Sequence, residues 1–139
     1  MRKHIFHVAP ASKSVDFALL LLRVGFGLMM LAHGYPKLQK LLAGGNIEFA
    51  SVFGLSPAIS LALAVFAEFF CSLLLVLGLL TRLATIPLII TMAVAVFMIH
   101  GADAFGEKEM ALHYLVVYVA LLFTGPGRYS LDAGLGRRR

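Results

Sequence analysis

Charge is what this sequence has least of. Only 14% of its 139 residues are Asp, Glu, Lys or Arg, against 60% hydrophobic, a balance too apolar for a soluble domain of this size. Cysteine is nearly absent. The single Cys71 excludes an internal disulfide, and no CxxC or CxxCH occurs, so this chain alone carries neither dithiol redox chemistry nor covalent haem attachment. Period-two alternation is missing, which excludes a membrane barrel. No close ligand pair such as HxxxH is present, so no metal site is expected. There is no internal repeat, inverted or direct, which ranks a small-solute transporter last among the functions to be weighed. The start also lacks the order of a signal peptide: Pro10, Ser12, Lys13 and Ser14 interrupt any apolar run after the basic Arg2 and Lys3, so no cleavage is expected.

What is present is a set of long apolar runs. In lipid every backbone polar group must be bonded within its own segment, so these runs must be helices. The stretch from Pro57 to Leu80 organises the rest. At ~1.5 Å per residue it is long enough to cross a hydrocarbon core of ~30 Å. Ser56 is placed to cap it, Pro57 suits its first position, and Gly78 marks its end. Its one charge, Glu68, lies near the middle and requires a partner. A first span is expected from about Asp16 to Gly34, with Arg23, Gly27, Met30, Gly34 and Lys37 on one stripe. Tyr35 to Leu55 reads as a folded lid: a short interfacial helix around Leu38, Leu41 and Leu42, a break at Gly44-Gly45, and a second short helix capped by Asn46. Thr81-Arg82 makes a tight turn into a third span ending near His100, with Pro87 near its start. A fourth runs from about Glu109 to Thr124 and stops at Gly125-Pro126-Gly127.

The predicted fold is an all-α membrane protein, a four-transmembrane-helix bundle with a short interfacial helical lid between helices 1 and 2. Residues 16–132 form the domain, between a basic tail at 1–15 and another at 133–139. Lysine and arginine bias places both termini in the cytoplasm: Arg2, Lys3, Lys13, Arg82, Arg128 and the terminal arginines lie inside, with Lys37, Lys40 and Lys108 outside. The formal charge of +5 does not point to nucleic acid, because the terminal arginines read as an anchor against anionic lipid.

Arg23 and Glu68 invite pairing, but their depths differ. Arg23 lies roughly 10 Å from the inner end of its span and Glu68 roughly 18 Å. Side chains lean toward their helix N-terminus, so in antiparallel helices the two lean apart. Arg23 is therefore expected near Asp132 and the carbonyls at the Gly125 end. Glu68, leaning outward, comes level with His33, His100, His113, Tyr114 and Tyr118. A carboxylate with histidines and tyrosines suits proton handling or a quinone head group. The candidate catalytic residues are Glu68, His113 and Tyr118. The candidate pocket comprises Arg23, His33, Lys37, Glu68, His100 and Tyr114. Arg82, Gly125, Pro126, Gly127 and Asp132 are assigned structural roles. The competing reading is that Arg23 and Glu68 are structural glue and the histidines are interfacial. Bis-histidine haem ligation is disfavoured because the histidines fall near the membrane edge.

Three motifs, taken together, resemble one family. They are Arg23…Gly27…His33-Gly34-Tyr35-Pro36-Lys37-Leu38; Glu68 followed by Leu77-Gly78-Leu79-Leu80-Thr81-Arg82; and His100 with Gly125-Pro126-Gly127-Arg128-Tyr129-Ser130-Leu131-Asp132. In order and spacing, over about residues 17 to 132, the set is similar to the DoxX family. The resemblance implies a four-span bundle in the bacterial plasma membrane, with partner subunits or a homo-oligomer. It also implies links to quinone-coupled thiosulfate oxidation or to oxidative and thiol stress. Two functions are expected to compete: a redox-linked subunit that holds quinone or passes protons, and a non-catalytic anchor or assembly factor for partner oxidoreductases.

Overall fold

The computed structural model describes residues 5–137, and all regular structure among them is helical. The basic residues Arg2, Lys3, Arg138 and Arg139 lie outside the described residues. Helix α1 spans Lys13–Ala43. Helix α2 spans Pro57–Leu77 and α3 spans Thr81–Ile99. Helix α4 covers Phe105–Thr124 and α5 covers Leu131–Arg137. Among the described residues, α1, α2 and α3 are long and apolar enough to cross a membrane. Helix α4 packs mainly on α3 and also on α1, while α2 packs along α1.

Local chemistry explains most boundaries. Ser12 caps α1 through its hydroxyl, which accepts from Val15 N at 3.3 Å. Ser56 does the same for α2, accepting from Ile59 N at 3.2 Å, with Pro57 in the first turn. Gly78, at φ 69°, ends α2 in a left-handed cap. Leu79 N donates to Leu74 O at 2.9 Å and Gly78 N to Leu75 O at 3.1 Å, the paired bonds of a Schellman ending.

Several expected boundaries are corrected. The first helix does not stop at Gly34; it continues through Tyr35-Pro36 to Ala43 as one element of 31 residues. Proline removes one backbone bond and crowds the preceding turn, but a long helix held on both sides by packing tolerates the gap. The expected interfacial helix is therefore the last two turns of α1. The helix expected after Asn46 does not form, and residues 44–56 are a non-helical strap. Its backbone turns at Gly44, Gly45, Phe53 and Gly54, all at positive φ. Thr81 and Arg82 belong to α3, and α4 begins at Phe105. The boundary expected at residue 133 cuts through α5, whose Asp132 and Ala133 are both buried.

The end of the bundle opposite the strap is closed by a polar clasp. Arg23, 2% exposed, donates from Nη1 to Pro126 O at 2.5 Å and from Nη2 to Tyr129 O at 2.6 Å. Asp132, fully buried, accepts from Leu80 N at 2.8 Å and Thr81 N at 3.0 Å. It thereby caps α3 from a distant part of the chain, where Leu80 sits in a left-handed conformation and supplies no side-chain cap of its own. Arg82 Nε donates to Leu122 O in the last turn of α4 at 3.3 Å. Asp16 accepts from Arg128 N at 3.1 Å. The segment Gly125–Asp132 thus ties together the starts of α1 and α3 and the end of α4.

Candidate functional site

The buried face of α1 carries Asp16, Arg23, Gly27, Met30 and Gly34, and Lys37 continues that stripe by one turn. Two glycines on it bring α2 close. A methyl group on Gly27 would come within 2.6 Å of Val76 Cγ2. On Gly34 it would come within 2.6 Å of the Glu68 carbonyl carbon and oxygen. The second contact is with backbone, which cannot rotate aside, so Gly34 fixes how near the Glu68 peptide lies to α1.

At that level α2 is not a regular α-helix. Phe66–Cys71 forms a π-helical segment, and a second one, Ala95–Ile99, ends α3. Segments of this kind are rare and often occur at functional sites. Both border one cavity of about 360 Å³, within the range of small-molecule sites. Glu68, 3% exposed, lies on its wall and pairs with Lys37, whose Nζ stands 2.5 Å from Oε2. Lys37 is a third exposed and lies 6.0 Å from the centre of the Phe49 ring in the strap. Neighbouring Lys40 donates to the Glu48 carbonyl, and Val52 N donates to Ser60 Oγ at 3.2 Å. The cavity is thus lined by α1, the strap, α2, α3 and α4.

Of the residues singled out in the sequence, His33, Lys37, Glu68, His100 and Tyr114 border this cavity. His33 meets Tyr114 edge to face at 6.0 Å. His100 Nδ1 lies 2.8 Å from Asp103 Oδ2. Three candidates lie elsewhere. Arg23 is in the clasp. Tyr118 is fully buried behind Tyr114, 5.9 Å between rings, and donates to Phe26 O at 3.4 Å. His113 is 66% exposed and lies 3.8 Å from Glu109, its neighbour one turn back. It projects from the face of α4 that does not meet the cavity, because Tyr114 takes the inward position and adjacent helical residues diverge by ~100°. Among the described residues, no cluster of three His, Cys, Asp or Glu side chains could hold a metal ion.

Three features escaped the sequence reading. The Lys37–Glu68 pair is hidden when the first span is ended at Gly34, before Lys37. The α1 stripe that includes Lys37 was the signal that could have found it. Glu107, which also borders the cavity, falls in the connection when the fourth span is started at Glu109. The π-helical segments have no evident sequence signal.

An all-helical chain with several membrane-length apolar helices and a buried ion pair beside a cavity defines a small helical membrane protein. Residues 18–101 match the DoxX family, and the chain belongs to it. An uncharacterised membrane protein of Mycobacterium tuberculosis is 32% identical over 136 residues, covering 87% of this chain and 83% of its own. Inner membrane protein YphA of Escherichia coli is 31% identical, covering 82% of this chain and 87% of its own. CatD of Bacillus subtilis, whose name marks it as a candidate oxidoreductase, is 29% identical, with 87% and 89% covered. No solved structure matches the chain.

Proposed function

We propose that this DoxX protein is a four-span subunit of the bacterial plasma membrane, with both termini cytoplasmic. On this reading, the cavity beside Glu68 handles protons or holds a quinone-type ring for a redox-linked complex. The fourth span is α4, whose charges Glu107, Lys108 and Glu109 fall in its first turns and leave an apolar stretch beyond them. The strap 44–56 is the lid on the outer side. The observation that carries the reading is Glu68 itself. It is an ionisable group buried inside a membrane-length helix, on a π-helical turn and against a cavity, with one ammonium as its partner among the described residues. A charge needed only as glue has no need of a cavity. The donors for a ring oxygen are present in Lys37 Nζ and the Tyr114 hydroxyl, and a redox centre in a partner subunit would complete the electron path.

Two expected results test the reading. Single cysteines at Ala43 and Ala102 label with an impermeant maleimide from outside, and those at Ser12 and the exposed Gly134 only after the cytoplasmic side is opened. Labelling of Ala102 from the cytoplasm alone would invert the arrangement. Organic extraction of the protein purified in mild detergent is expected to yield a stoichiometric isoprenoid ring compound. Its absence, alongside an intact and co-purifying oxidoreductase partner, would leave the anchor role.

A further inference from the structure

We propose that the cavity selects a membrane-soluble ligand bearing a hydroxyl on an aromatic ring, a phenol or hydroquinone, over the same ring with only carbonyl or ether oxygens. This rests on the reading of the cavity as a ligand site and narrows its chemistry. Two polar groups on the wall are almost wholly removed from solvent and incompletely used. The Tyr114 side chain is 6% exposed. Its ring meets Phe26, His33 and Tyr118, but its hydroxyl makes no hydrogen bond to any described residue. Glu68 is 3% exposed, and its single hydrogen bond goes to Oε2; Oε1 accepts none from the described residues. Neither atom is shut away from the cavity that both residues border, so a ligand that enters it can pair with them.

The chemistry of the two groups defines that partner. A carboxylate oxygen only accepts, so the ligand must donate to Oε1. The Tyr114 hydroxyl can donate in return. One ligand hydroxyl meets both demands at once, donating to Glu68 and accepting from Tyr114. The Lys37 bond to Oε2 need not break. A quinone carbonyl satisfies Tyr114 but leaves Oε1 without a donor, and an aryl ether does the same. The remaining wall suits a ring: Met30, Met92 and Met110 offer sulfur, and Phe49 and Phe53 offer ring faces. A volume of about 360 Å³ holds one substituted ring.

The test uses the full chain in lipid nanodiscs, with empty discs subtracting partition into the bilayer. Equilibrium binding is measured for 4-nonylphenol, its methyl ether 4-nonylanisole, and 2-nonyl-1,4-benzoquinone. The phenol is expected to bind roughly tenfold or more tightly than either of the others, the usual size of a charge-assisted hydrogen bond. Tyr114→Phe is expected to weaken the phenol and the ether alike, severalfold, and to leave the preference for the phenol in place. Equal affinity for phenol and ether would overturn the inference. Tighter binding of the quinone than of the phenol would overturn the selection of a donor while leaving the cavity a ligand site. Binding of none of the three would remove both this inference and the reading beneath it.

Discussion

Arg23→Met is expected to destabilise the protein by about 3–5 kcal/mol, the range seen when one partner of a buried charged network is removed. The guanidinium is 2% exposed and serves the carbonyls of Pro126 and Tyr129. Its removal leaves both without this donor in a closed site and takes away a positive charge that interacts with the buried Asp132. Each orphaned acceptor costs about 1–3 kcal/mol. Arg23→Lys retains the charge but offers a single centre in place of a planar fork that reaches two carbonyls. It is expected to lose about 1–3 kcal/mol, the value of one bond. Thermal unfolding in detergent checks both substitutions. A lysine variant as stable as wild type would show that charge alone, without the two-carbonyl geometry, holds the clasp.

Lys37→Met is expected to be the second most damaging substitution, at about 2–3 kcal/mol. The figure is set below the full buried-pair range because Lys37 is a third exposed and partly screened. The damage lies mostly in Glu68, whose carboxylate is left buried with no cation. The double variant Lys37→Met/Glu68→Met is therefore expected to recover most of the loss, since a well-packed apolar pair often replaces a buried ion pair with little change. Chemical unfolding of the two single variants and the double variant gives the coupling. Purely additive losses would mean that the contact contributes nothing between the two side chains.

The helices were legible in the sequence where chemistry is local. Ser56-Pro57 and Gly78 give the ends of α2, because a cap and a left-handed turn need only their own residues. The inward stripe Arg23, Gly27, Met30, Gly34 was also legible, because helical period is a property of one segment. Opposite leans on antiparallel helices gave the separation of Arg23 from Glu68. What failed depends on distant partners. The first span is expected to end at Gly34, yet α1 runs on through Pro36 to Ala43, because packing on α2 outweighs one lost backbone bond. Asp132 caps a helix that begins 51 residues earlier, and nothing near Thr81 announces it. His113 and Tyr114 are adjacent and chemically similar candidates. Only the rotation of α4 decides that Tyr114 faces the cavity and His113 does not.

On the proposed function, Glu68 takes part in the work of the site and does not merely hold the bundle together. Glu68→Gln tests it most directly. The amide oxygen still accepts from Lys37 and the shape is unchanged, but an amide does not exchange a proton in the working pH range. Thermal stability in detergent is measured beside complementation of a deletion strain under oxidative or thiol stress. The expected result is a protein that melts within a few degrees of wild type, about the shift of a ~1 kcal/mol change, and fails to complement. Full complementation by the Gln variant would contradict the account and leave the cavity without a working carboxylate.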